Sequence, residues 1–242
     1  MDSMTGHSPL SRVSVVLVHG AYADGSSWAE VIPRLQSHGV AVTAVQNPLT
    51  SLSDDAAATR RALDAQPGPV VLAGHSWAGT VISEVGDHPA VGGLVYIAAR
   101  APDAGEDYAA LAARFPAPPA SAGLRYADGF GGLVEDAFMR DFANGVPTER
   151  ARVLYAVQGP ISDRLFPSRT THAAWRTHPC WYAVSRDDRT TSPELERFLA
   201  DRMSATTIEL PSGHLSIISH PDEIAALIID AVTSVATRAL DG

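Results

Sequence analysis

The feature that most constrains how this chain can fold is an alternation. Short runs rich in Val, Ile and Leu recur along it, separated by stretches with helical patterning. The runs lie at 13–20 (VSVVLVHG), 40–45 (VAVTAV), 69–74 (PVVLAG), 91–99 (VGGLVYIAA), 180–185 (CWYAVS) and 205–210 (ATTIEL). The helical stretches lie near 27–38, 53–65, 77–86, 193–203 and 221–237. Strands alternating with helices build βαβ units and a parallel sheet, here of six strands flanked by helices. Two helices carry clear signals. SPELERFLADRM offers Ser192 as N-cap, Pro193 at the first helical position, and Glu194 and Glu196 in the first turn. In the last helix Ile224, Leu227, Ile228 and Val232 fall on one buried face.

The alternation breaks between 101 and 178. This stretch opens with PDAGEDYAALAARFPAPPASAG, passes through ADGFGGL, and carries two helical patterns, LVEDAFMRDFANG and PTERARVLYAVQ. No strand-like run interrupts it, and its Leu, Phe, Tyr and Trp content calls for packing. It is expected to be a helical cap, 101–178, inserted into a core made of 1–100 and 179–242.

Bulk properties narrow the function classes. Among 242 residues, 18 Lys and Arg stand against 27 Asp and Glu, a formal charge of −9 without a basic stripe, so nucleic acid is not an expected partner. No segment reaches the roughly 18 apolar residues of a membrane span. The polar N-terminus lacks the basic start and apolar centre of a signal peptide. The lone Cys180 heads an apolar run and excludes an intrachain disulfide. A cytoplasmic location is the expectation.

Gly-x-Ser occurs three times, at Gly6-His7-Ser8, Gly25-Ser26-Ser27 and Gly74-His75-Ser76. Only the third follows a buried strand and opens a helix. A serine on such a turn is pushed above the sheet edge, and the small residues Gly74, Ala78 and Gly79 suit a tight turn with a closely packed helix. Ser76 is therefore a candidate nucleophile, with a helix N-cap as its structural alternative.

A serine hydroxyl needs a base and a group to orient that base. His214, in ELPSGHLS after the last strand, emerges at the same sheet edge as Ser76. His75 adjoins the serine but points elsewhere from the turn, and His19 belongs to the end of the first strand. His7 lies in the tail, His38 and His88 at helix ends, and His172 and His178 in the cap or its exit. His220 begins the last helix. For the orienting acid, the loop after the fifth strand offers both Asp187 and Asp188, with Asp103 as an outsider, and spacing does not choose between them. An oxyanion would be held by the backbone N–H of Trp77 and one from LVHGAYADGSSW after the first strand, for which Ala21 is the choice.

Taken together, VHGAYADGSSW, AGHSWAGTVI, WYAVSRDDRTTSPELERFLADRM and PSGHLSIISHPDEIAALI resemble the α/β-hydrolase superfamily. More narrowly they resemble small bacterial esterases related to plant methyl-ester esterases and hydroxynitrile lyases. The resemblance covers nearly the whole chain outside the cap. It implies Asp188, directly before the Arg-Thr pair, as the acid, and the triad Ser76, Asp188, His214 in the superfamily's chain order. One departure is Gly-His-Ser-Trp-Ala in place of Gly-x-Ser-x-Gly, with glycine one place later at Gly79.

The expected activity is cleavage of a small carboxylic ester or lactone through an acyl-enzyme, without a cofactor. Tyr22 and Leu215 flank the reacting groups in sequence, and Phe130, Phe138, Leu165 and Phe166 are cap candidates for an apolar substrate pocket. No group of His, Cys and carboxylates has metal-ligand spacing, and ADGFGG lacks the strand and lysine of a phosphate loop. Two rivals are a hydroxynitrile-lyase-like reaction and a ligand sensor with little turnover. By resemblance, the lyases carry threonine at the position of Gly20 and lysine at that of Leu215, which disfavours the first rival.

Overall fold

The computed structural model describes residues 9–241. The first Gly-x-Ser triplet, His7 and most of the polar N-terminus lie outside the described residues. Nine strands follow in chain order: β1 (Ser14–Val18), β2 (Ala41–Val45), β3 (Val70–His75), β4 (Val91–Ile97), β5 (Leu124–Ala127), β6 (Phe130–Leu133), β7 (Ile161–Ser162), β8 (Cys180–Ser185) and β9 (Thr206–Leu210). Six of them form one sheet in the order β2-β1-β3-β4-β8-β9, with every neighbouring pair parallel.

Burial on both faces explains why the central strands read as continuous apolar runs. β1, β3 and β8 are buried throughout, whereas the edge strands β2 and β9 are largely open. Side chains alternate between faces along a strand. Val16, Leu72, Tyr96 and Tyr182 therefore join one core cluster, while Val15, Val71, Val95 and Trp181 join the other. The second cluster is closed by the helix Pro221–Asp241, whose Ile224, Leu227, Ile228 and Val232 are all buried. Cys180 is buried at the start of β8, and burial pushes its thiol up to about 12. No helix among the described residues is long and apolar enough to cross a membrane.

Strand order places the site. The chain runs outward from β1 to β2, then returns to β3 on the other side of β1, so the direction of sheet growth reverses between β1 and β3. The loops leaving these two strands diverge there and leave a crevice at the carboxyl edge. Gly20 and Ala21 leave β1 at that point, and Ser76 leaves β3 beside them.

The segment between β4 and β8 departs from the expectation of helix and loop alone. It contains the helices Tyr108–Ala112 and Thr148–Ala156 and a short helix from Glu135 that passes into a π-helical turn, Phe138–Phe142. It also contains an antiparallel sheet, β5-β6-β7. The hairpin is made by Asp128 and Gly129, with φ of 52° and 81°. Left-handed conformation at both central residues is the two-residue turn whose twist matches the flanking strands, and Asp-Gly is one of its preferred dipeptides. The strands are only four, four and two residues long, too short for periodicity to betray them. The signal was the dipeptide, not the pattern.

Gly129→Val should lower the unfolding free energy by about 1–2 kcal/mol, because an L side chain pays the left-handed penalty there. Gly159 faces open space with no positive φ, and Gly159→Ala should not lower it. Urea unfolding of the two variants checks the contrast.

Candidate active site

β3 ends at His75, and the chain turns sharply at Ser76, φ 56°, into the helix Ala78–Val85. Left-handed backbone is costly for a residue with a Cβ and persists only where its surroundings impose it. Here they do. The Ser76 N–H donates to Ile97 O (3.1 Å), and the N–H groups of Gly79 and Arg100 both donate to Ser76 O (3.1 Å each). Close packing then demands missing side chains. A Cβ at Gly20 would stand 2.8 Å from Ser76 Cβ, and one at Gly74 would stand 3.0 Å from the Ala78 carbonyl. A methyl group at Gly79 would collide with the Arg100 carbonyl oxygen. The displaced glycine of the sequence is thereby explained: position 79 abuts the chain leaving β4, while the Ala78 methyl sits in the core.

Asp188 and His214 meet beside this turn. Asp188 leaves β8 and His214 follows β9; both side chains are fully buried, with His214 Nδ1 2.6 Å from Asp188 Oδ2. The other carboxylate oxygen accepts the N–H groups of Thr190 (2.6 Å) and Thr191 (2.9 Å). Burial alone would raise the Asp188 pKa; the neighbouring His214 and these hydrogen bonds overcome it and hold the carboxyl below its ordinary range. With an ionised carboxylate opposite Nδ1, that nitrogen carries the proton. His214 Nε2 is buried and makes no hydrogen bond to any described residue. Asp187 is exposed, and Asp103 pairs with Arg176.

The other two histidines near the turn have structural tasks. His75 lies 4.7 Å from His214 between ring centroids, and its Nε2 is 2.9 Å from His214 O. Burial, reinforced by His214, lowers its pKa to about 3, so it stays neutral and donates to that carbonyl. His19 accepts the Asn47 N–H at Nε2 (2.9 Å) and donates from Nδ1 to Gly20 O (2.9 Å), which shapes the loop after β1.

Two buried acids escaped the sequence reading. Glu196 lies in the first turn of its helix, as expected, but faces inward. It is fully buried, and its Oε2 accepts the Ser185 N–H at 2.9 Å. Burial and the charge of Asp188 raise its pKa well above the ordinary value and favour its protonated form. Ser192 does occupy the N-cap position, but its hydroxyl donates to the Glu194 carboxylate at 2.8 Å instead of capping the helix. Asp55 accepts the Trp77 indole N–H (2.8 Å) and the Leu49 N–H (2.8 Å), and burial raises its pKa to about 6. Helical spacing could have found it, since Asp55 shares the buried stripe of Leu52, Thr59 and Leu63.

Ser76 opens into a cavity of about 230 Å³. Ala21 and Trp77 line it, and the backbone N–H of neither makes a hydrogen bond among the described residues. Tyr22 and Phe166 line it too, together with Arg100, Tyr108, Leu124, Leu133 and Leu195. Phe130, Phe138, Leu165 and Leu215 do not. Phe130 lies 44% exposed on the surface hairpin, and Leu165 is fully buried in the core. Phe138 and Leu215 border a separate small recess on the far side of Tyr22. For these four, hydrophobicity marked packing of the segment rather than a wall of the cavity.

Residues 15–227 match the model of the alpha/beta hydrolase family. The chain belongs to this family. No curated protein matches the sequence. Among solved structures, this hydrolase is similar to a pyrethroid hydrolase from Sphingobium faniae, at 20% identity and a TM-score of 0.74 over 91% of this chain and 98% of the other. It is also similar to polyneuridine aldehyde esterase (18%, TM-score 0.78, 91% and 99% covered) and to a methylesterase from Arabidopsis (18%, TM-score 0.75, 91% and 99% covered).

Two outcomes follow for the hydrolase. Gly79→Ala should destabilise it by about 1–3 kcal/mol through overpacking, whereas Ala78→Gly should cost only about 0.5–1 kcal/mol; thermal melting separates them. His75 is neutral when folded but protonates below about pH 6.5 when unfolded, so acid favours unfolding by up to ~1.4 kcal/mol per pH unit from this residue. His75→Gln should flatten the decline in stability between pH 6.5 and 4, measured by urea titration at each pH.

Proposed function

We propose that this hydrolase cleaves a small carboxylic ester or lactone through an acyl-enzyme. The observation that carries the reading is the conjunction at one sheet edge of a strained serine, a buried His214–Asp188 pair whose Nε2 has no partner among the described residues, and a cavity lined by two backbone N–H groups that likewise have none there. The hydrolase and the two esterases among its structural neighbours support ester chemistry. In this reading residues 101–178 are the cap over a core of 1–100 and 179–242.

On substrate binding, the Ser76 hydroxyl closes onto His214 Nε2, a contact that in unliganded enzymes commonly tightens only in the complex. Ser76 Oγ attacks the carbonyl carbon as Nε2 takes its proton. Asp188 holds the imidazole by Nδ1 and stabilises the imidazolium. The Ala21 and Trp77 N–H groups receive the negative oxygen, each such donor supporting the transition state by ~2.7–4 kcal/mol. His214 then protonates the departing alcohol, and a water activated by the same nitrogen releases the acid and restores Ser76. Cyanohydrin cleavage is disfavoured: Leu215 places no ammonium beside His214, and a Cβ at Gly20 would crowd Ser76.

Ser76→Ala should lower kcat/KM on a chromogenic short-chain ester by at least about 10³-fold while leaving the melting temperature equal or higher, since alanine relieves no contact the fold needs. Undiminished turnover in the variant, or a wild type that stops after one equivalent as a sensor would, would contradict the proposal.

A further inference from the structure

The cavity beside Ser76 carries one charge. Among the described residues lining it, Arg100 is the only side chain other than the tyrosines that ionises, and none is a carboxylate. Arg100 follows β4, and its backbone N–H is one of the bonds that pin Ser76. Its guanidinium lies in an aromatic box: Cζ is 4.3 Å from the ring centre of Phe166, 4.7 Å from that of Tyr108 and 5.4 Å from that of Trp77. Rings attract a cation by their faces and position it, but they accept none of its five N–H donors in the plane.

Among the described residues, the Arg100 guanidinium makes no hydrogen bond and no ion pair. Arg202, likewise partly buried, shows the ordinary solution, with Glu106 2.9 Å from its guanidinium. Burial lowers the Arg100 pKa, and no carboxylate is among the groups that oppose it. A partly desolvated guanidinium without an acceptor is costly. Its donors open on the cavity beside Ser76, where a substrate can bring the acceptor.

We infer that Arg100 is a specificity-determining residue whose guanidinium receives a carboxylate of the substrate, so that this site prefers esters bearing a second, free carboxylate over neutral esters of the same size. A carboxylate matches the planar fork with two parallel N–H bonds. One negative charge balances the single cation, whereas a phosphate dianion would leave surplus charge among apolar walls such as Leu124, Leu133 and Leu195. The inference rests on the ester-hydrolase reading for the chemistry, but not for the binding.

The test compares monomethyl esters of linear dicarboxylic acids, from glutarate to suberate, with the methyl alkanoates of equal length, for example monomethyl adipate with methyl hexanoate. Acid release is followed by pH-stat, and binding of free adipate to Ser76→Ala by calorimetry. A kcat/KM at least about tenfold higher for the monoester at one or more chain lengths is expected. Arg100→Met should bring that ratio to about one or below, and Arg100→Lys, which keeps the charge but loses the fork, should fall between. Neutral esters turned over as well as monoesters at every length would overturn the role of Arg100 and leave ester hydrolysis standing. If no ester is turned over, adipate binding decides: binding to Ser76→Ala that Arg100→Met abolishes supports the inference while the hydrolase reading fails, and absence of binding overturns it. The wild-type ratio is decisive even if a variant fails to fold.

Discussion

The left-handed turn at Ser76 is the constraint on which the rest of the site depends. It exists because β3 must end beside β1 and β4 while the next helix starts at once, and its cost is met by backbone bonds from Ile97, Gly79 and Arg100. Those bonds require three chain segments to approach within van der Waals limits, which is why Gly20, Gly74 and Gly79 have no room for a side chain. The same approach brings the loop after β1, with Ala21, next to the serine, and fixes where Trp77 and Arg100 enter the cavity. Stability and site geometry are thus one problem at this point: a methyl group added at Gly20 or Gly79 would act on both.

A buried polar line sustains the second half of the site. Glu196, Asp188 and His214 are all removed from water, and two carboxyls so close cannot both be charged at low cost. The asymmetry of their surroundings decides which keeps its proton. Asp188 has the imidazole and two backbone N–H groups, so it ionises; Glu196 has one backbone N–H and the charge of Asp188 against it. This leaves a single negative charge beside His214, which orients the ring and sets its tautomer. His75, neutral and bonded to the His214 carbonyl, holds the loop from the other side. In the sequence His75 is the histidine nearest the serine, yet geometry makes it a brace rather than a base.

How much of this was legible in the sequence follows from the range of the forces involved. The four central parallel strands were readable because burial on both faces writes itself into continuous apolar runs, and the open edge strands β2 and β9 were readable from their β-branched residues. Ser76, Asp188 and His214 were readable as candidates because parallel strands all deliver their exit loops to one edge, although spacing alone left Asp187 and Asp188 open until the resemblance chose. The hairpin at Asp128-Gly129 was missed because its strands are too short for periodicity, and Phe130, Phe138, Leu165 and Leu215 were assigned to the pocket because hydrophobicity does not say which cavity, core or surface a side chain meets. Arg100 was not singled out at all. Its meaning lies in what surrounds it, three aromatic rings and no carboxylate, and that information is tertiary.

Site and cavity together describe a member of the alpha/beta hydrolase family with an apolar recess, one embedded cation and Ser76 among the residues that line it. The central claim is that Ser76 becomes covalently acylated. Its most direct test is rapid-quench mass spectrometry of the protein mixed with an excess of p-nitrophenyl acetate, followed by peptide mapping. The account predicts one acetyl group per chain, on the peptide containing Ser76, appearing with a burst of nitrophenol. Nitrophenol released in multiple turnovers with no adduct, or an adduct required for turnover on another residue, would contradict it.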